Sequence, residues 1–225
     1  MPKQEQQVSV WDPWIRCFHW ALVGAIAFLV FIGKTGTLFF DYHRYVGEGV
    51  LAIIFFRLLW GVVGTSNTKV RALIRSPRAA LAHLKDFVKG TVHPERGHNA
   101  AGSWSVLLLL ALVSVQAFTG LFSADEDELI EGALRNAVSS DFADQMVDLH
   151  HTNANFLLAA IGLHIAALIG YRLRARLDLV TPMFTGKMRW PQDKPVPDVI
   201  FGSARVAVLC AAIAAVLTGW LLDWF

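Results

Sequence analysis

The stretch Val147–Gly170, VDLHHTNANFLLAAIGLHIAALIG, decides how the chain reads, because it holds two histidines inside a run otherwise apolar enough to cross a bilayer. On an α-helix, the fourteen residues from His150 to His164 rise about 21 Å and turn through about 1400°, about 40° short of four full turns. The two imidazoles therefore share one face, near opposite sides of a membrane. His151 competes for the first role, but its ring points about 140° away from that of His164, so His150 is the choice. An ionisable group inside a span is a functional feature that needs a partner.

Working outward, the rest of the chain has the same character. Of 225 residues, 55% are hydrophobic and 17% charged, well to the apolar side of a soluble domain. Apolar runs at 17–33, 46–64, 103–122, 150–171 and 204–222 each approach the roughly 20 residues that span hydrocarbon. The expectation is an all-α, polytopic membrane helix bundle: a four-helix core plus a fifth C-terminal transmembrane helix, forming one membrane domain over 1–225. The polar segment Met1–Trp14 is unlike a signal peptide, and no small-residue cleavage pattern follows Gly33, so the first run is read as a retained span.

Net charge is +2 and says little; its distribution orients the bundle. Lys3 and Arg16 precede the first run, seven Lys/Arg lie in 64–101 and six in 172–203. The segment 123–149 carries Asp125, Glu126, Asp127, Glu128, Glu131, Asp141, Asp144 and Asp148 against Arg135 alone. The basic segments are expected in the cytoplasm, with the N-terminus, and the acidic one outside. Leu129, Ile130, Ala133, Leu134, Ala137 and Val138 recur at roughly helical spacing there, suggesting a short surface helix that is either a solvated face or a docking surface for a basic partner.

The first span opens at Asp12-Pro13, with proline in its favoured first helical position, and Trp11, Trp14 and Trp20 suit the interfacial belt. His19 sits one turn in, with Arg16 nearer water. After an outer turn around 34–42, the second span carries His43 at its outer end and Gly47 one turn on, a notch that a flat ligand fits. Arg57, fourteen residues after His43, shares that face near the inner surface, to meet a ligand or to snorkel to headgroups. PRAALAHLKDFVKG, from Pro77, reads as an amphipathic surface helix in which His83 is solvated. His93 and His98 lack the companions of a zinc site. The third span reads as packing, and Cys17 and Cys210 as buried thiols, with no C-x-x-C-H for covalent haem.

Topology then sorts four histidines by depth: His19 and His164 inside, His43 and His150 outside. Two pairs, each from two helices, suit bis-histidine ligation of two haems. Zinc wants three or four ligands at one depth; polar glue between helices does not demand matched depths; a proton relay in a transporter recruits carboxylates, and these spans offer Glu48 alone. Arg16 and Arg57, and more loosely Arg44, fit haem propionates.

Four segments carry a family resemblance: VWDPWIRCFHW at Val10–Trp20, HRYVGEGVLAIIFFRLLWGVVG from His43, HNAAGSW at His98–Trp104, and LHHTNANFLLAAIGLH at Leu149–His164. Together the sequence resembles the prokaryotic cytochrome b561 and nickel-iron hydrogenase b-type cytochrome superfamily. The resemblance implies a four-helix bundle with two haem b groups and His19, His43, His150 and His164 as axial ligands. It departs from the family where HNAAGS replaces the usual HNP-x-GG turn, and where the doubled His150-His151 leaves His151 open as the outer ligand. With both axial sites filled, each haem is expected to carry electrons, with irons about 20 Å apart by the fourteen-residue offset. The expected function is electron transfer, in a bacterial inner membrane, between the quinone pool and a periplasmic c-type cytochrome or a dehydrogenase or hydrogenase subunit. No nucleic-acid partner is expected. The alternatives are a free-standing superoxide:quinone oxidoreductase and a non-redox transporter with a histidine proton relay.

Overall fold

The structure, a computed structural model, describes residues 5–35, 41–125 and 130–224. Lys3, much of the outer turn around 34–42, and Glu126 to Leu129 of the acidic segment lie outside the described residues. Five helices are long and apolar enough to cross a membrane: α1 (Pro13–Thr35), α2 (Asp41–Val63), α5 (Ala100–Gly120), α6 (Ser140–Arg174) and α8 (Ala204–Leu221). The described residues also form short helices α3 (Val70–Leu73), α4 (Pro77–Lys89) and α7 (Thr181–Thr185), and strands β1 (Glu5–Ser9), β2 (Ala124–Asp125), β3 (Ile130–Glu131) and β4 (Lys187–Pro191). The helical class read from the sequence is the one observed. Large apolar side chains such as Phe31, Leu163, Ile169 and Trp220 stay exposed on the spans, as side chains facing lipid rather than water can.

Two readings of the acidic segment change. α6 starts at Ser140 instead of His150 because Ser139 caps it, its Oγ accepting from Phe142 N at 3.4 Å. Its 35 residues extend about 52 Å, and the exposed Asp141, Asp144 and Asp148 stand on helix. The expected surface helix over 129–138 is instead an antiparallel ribbon, β2–β3, followed by a 3-10 turn at Arg135–Ala137. Backbone bonds pull it onto the end of α5: Gly132 N donates to Ser123 O at 2.8 Å and Leu134 N to Leu121 O at 2.8 Å. A Cβ at Gly132 would lie 2.3 Å from Gly120 O, so only glycine permits this approach.

The chain divides into two compact units, one of residues 1–17, 60–108 and 160–207, the other of 18–59, 109–159 and 208–225. The first is held by its connections. β1 pairs antiparallel with β4, Val8 opposite Met188 and Gln6 opposite Trp190, and Val8, Met188 and Trp190 are buried. Val10 N and Trp11 N both donate to Gly186 O, at 2.8 and 3.2 Å. Asp12, 2% exposed, caps α1 by accepting from Ile15 N at 2.8 Å, and its other oxygen accepts from Trp60 Nε1 at 3.3 Å. The Asn67 amide donates to Val10 O at 2.8 Å and Arg96 O at 3.2 Å, while Arg96 donates to Ser9 O at 2.9 Å and to Pro197 O. Trp11 is buried with its ring against His98, so it does not belong to an interfacial belt.

α4 forms as expected, capped by Ser76 at its start and by Gly90, at φ 72°, at its end. It docks on α6 through Phe87, whose ring lies 4.6 Å from that of Tyr171, and through Arg174, which donates to Val88 O at 2.7 Å. His83 is therefore not solvated: its Nε2 is 2.7 Å from Tyr171 Oη.

In the second unit Leu51, Leu121 and Leu222 form a buried cluster covered by Phe55, Phe122, Ala133 and Leu134. Trp224 Nε1 donates to Glu48 at 3.1 Å, and Arg44 pairs with the same carboxylate at 2.8 Å. Both cysteines are free, but Cys17 is exposed, which corrects the reading of two buried thiols.

Candidate functional site

α5 and α6 position His150. On α5, the Thr119 hydroxyl donates back to Val115 O at 2.9 Å, shared with Gln116 O at 3.1 Å. The same oxygen lies 3.0 Å from His150 Nδ1; with the single hydroxyl proton turned to α5, it would accept there. In that arrangement Nδ1 would carry the ring proton and Nε2 would keep a lone pair available to a metal. Asn153 sets the register between these helices. It is 5% exposed, and its amide donates to Leu112 O at 2.9 Å and Gln116 Oε1 at 2.7 Å.

The ring of His43, on α2, lies with its centroid 6.3 Å from that of His150, the planes inclined at 64°. A glycine sits beside each ring. A Cβ at Gly120 would fall 3.1 Å from His150 Cε1, and one at Gly33 would fall 3.5 Å from His43 Cε1. At Gly47 an added Cβ would meet nothing within 4 Å. His151 is exposed, with its ring 6.3 Å from that of His150.

The other predicted residues divide between the units. His19 belongs to the second and stacks edge-on with Trp20 at 4.9 Å; His164 belongs to the first and is half-buried. Arg16, in the first, donates to Phe184 O and flanks a cavity of about 250 Å³ lined by Trp11, Asp12, Thr185, Gly186 and Lys187. Arg57, in the second, is 3% exposed and lies 6.0 Å over the Phe18 ring, so it is covered by protein. Glu48 is 3% exposed, fixed by Arg44 and Trp224. Among the described residues no group of three or more His, Cys, Asp or Glu is placed to hold a metal ion. The exposed His93 and the stacked His98 thus stand apart from any such group.

Sequence reading assigned the third span to packing and missed Thr119. The available signal was the spacing of Gln116, Thr119 and Gly120, the polar and small positions near the outer end of that run.

Five apolar helices among the described residues define a multi-pass membrane protein, and within it α2 and α6 bring the His43 and His150 rings edge-on to each other. The sequence model of prokaryotic cytochrome b561 matches residues 10–186, and the chain belongs to that family. It is a b-type cytochrome of the membrane, binding haem and transferring electrons. A search of curated proteins finds no match.

Proposed function

We propose that the chain carries two haem b groups and passes electrons across a bacterial inner membrane between the quinone pool and a redox partner on the periplasmic side. In this reading His43 and His150 hold the outer haem iron, and His19 and His164 the inner one.

The observation that carries the reading is the His43–His150 pair. A metal–imidazole bond is about 2 Å long and the nitrogen lies about 1 Å from its ring centre, so two rings on one metal have centroids about 6 Å apart. The observed 6.3 Å fits an iron between them, and the Thr119 contact leaves His150 Nε2 able to bind it. Haem supplies reversible one-electron chemistry at iron. His43 and His150 would hold the iron from two helices, with Thr119 beside His150 Nδ1, and would leave oxygen no open position on the metal. Gly47 gives the outer macrocycle room beside His43, and the guanidinium groups of Arg16 and Arg57, at inner depth, suit the propionates of the inner one.

The exposed Asp141, Asp144 and Asp148, at i, i+3 and i+7 of α6, favour a basic partner such as a c-type cytochrome or a dehydrogenase or hydrogenase subunit. The test of the whole reading is a reduced-minus-oxidised optical spectrum of the purified protein with its haem-to-protein ratio, repeated on His43→Ala and His164→Ala. About two low-spin haems per chain, with one lost in each variant, are expected. A single haem retained by both variants would overturn the assignment.

A further inference from the structure

A second polar constellation lies in the first unit, apart from the histidines assigned to iron. Tyr171 is 7% exposed, and its oxygen is 2.7 Å from His83 Nε2 and 3.3 Å from Asn99 Nδ2. The orientation of the Asn99 amide is fixed, because its Oδ1 accepts from Gly102 N at 2.7 Å and a backbone N–H only donates. Asn99 therefore donates to the phenol oxygen, which leaves the phenol's own proton available to His83 Nε2. On the other side of the ring, His83 Nδ1 lies 3.9 Å from Glu95 Oε1, beyond hydrogen-bond range but near enough for the carboxylate to favour the ring's proton on that side. Side-chain exposure is 44% at Glu95 and 12% at His83, so the series runs from water inward to the phenol.

Its inner end has a direction. Seven residues separate His164 from Tyr171 on α6, about 20° short of two turns and about 10 Å along the axis. The phenol thus shares the face of His164.

We propose that Tyr171, His83 and Glu95 form a proton path between water and a quinone or quinol bound on the His164 face of α6, an inference that rests on the quinone reading above. In quinol oxidation, each of two electrons leaves toward the redox partner and one proton leaves with it. The quinol O–H bond breaks as its proton goes to Tyr171 Oη, the Tyr171 proton goes to His83 Nε2, and the imidazolium so formed faces the Glu95 carboxylate, through which it exchanges with water. Quinone reduction runs the same transfers backward. Burial pushes the Glu95 carboxyl up, against the pull of His83 and of Arg75, so it takes up a proton more readily than a solvated carboxylate. The groups that face His83 are Tyr171 from α6 and Glu95 and Asn99 from the segment before α5, with Arg75 acting on Glu95.

The test uses haem-loaded protein, a short-chain quinol and stopped-flow detection of haem reduction, on wild type, Tyr171→Phe and His83→Gln. Phenylalanine keeps the ring contact with Phe87 and removes only the hydroxyl. The wild-type rate is expected to depend on pH, because quinol oxidation releases its protons through this path. In both variants it falls about 100-fold and becomes flat with pH, while dithionite still reduces the full haem complement. Nitrogen NMR of labelled histidine gives a second readout: His83 carries its proton on Nδ1 in wild type and loses that preference in Tyr171→Phe. Variants with the wild-type rate and pH profile would overturn the path, as would a wild-type His83 protonated on Nε2 alone. Wild-type haem that no quinol reduces and no quinone oxidises would overturn the quinone reading and the path with it, whatever the NMR shows.

Discussion

The hydroxyl oxygen of Thr119 lies 3.0 Å from His150 Nδ1 while the hydroxyl is placed to donate to Val115 O at 2.9 Å. An α5 hydroxyl that accepts from Nδ1 would leave Nε2 of this α6 imidazole free for a metal. Partners of this kind around ligating histidines are typically worth 10–100-fold in metal affinity. Thr119→Val removes the acceptor at nearly constant volume and is expected to lower occupancy of the outer haem by a factor in that range, whereas Thr119→Ser keeps it. Haem-to-protein ratios and redox titrations of the two variants check this.

The two glycines beside the rings make opposite predictions. At Gly120 an added methyl would sit 3.1 Å from His150 Cε1, tighter than an ordinary contact; at Gly33 it would sit 3.5 Å from His43 Cε1. Gly120→Ala is expected to shift the His150 ring and perturb one haem's spectrum or potential. Gly33→Ala leaves both unchanged.

Glu48 is nearly fully covered, with Arg44 on one oxygen and Trp224 on the other. Arg44→Ala leaves a covered carboxylate with a neutral donor alone, at a cost of about 1–3 kcal/mol. Glu48→Gln in the same background removes the charge and is expected to restore part of that loss. Thermal unfolding followed by tryptophan fluorescence compares the single and double variants.

Asp178 gives the pH prediction. Partial burial pushes its carboxyl up, but hydrogen bonds from the Thr181 hydroxyl at 2.7 Å and backbone at 3.1 Å, one from Val180 N, and the Arg172 ion pair outweigh it, and the group ends below its ordinary value of 3.8. A depressed carboxyl contributes stability that is fully present above the unfolded value and is lost as pH falls through the folded one. Asp178→Asn is therefore expected to lose stability at neutral pH while flattening the acid limb of the stability curve below about pH 4.

The spans were legible because twenty apolar residues in a row have few other uses, and the nearness of His43 to His150 because spans of alternating direction carry both to the same end. Thr119 was not, since a threonine near the end of an apolar run looks like any other until the neighbouring helix supplies an imidazole. The β1–β4 ribbon was hidden for a different reason: EQQVS is too short and polar to show a strand period, and its partner lies near the other end of the chain. The β2–β3 ribbon misled through spacing that imitated a helix, when Gly132 and two backbone bonds to the end of α5 decide its path. His83 looked solvated because its partner, Tyr171, is supplied by a distant helix.

The ribbon between β1 and β4 also sets an order in time. Glu5 pairs with Pro191 and Ser9 with Lys187, and Val10 and Trp11 wait for the carbonyl of Gly186. At synthesis rates of about 5–20 residues per second, β1 leaves the ribosome roughly 10–40 s before its partner exists. The first span must therefore enter the membrane with its preceding strand unlatched. A chain stalled before α7 would hold its opening segment through Trp60, Asn67 and Arg96, without the ribbon.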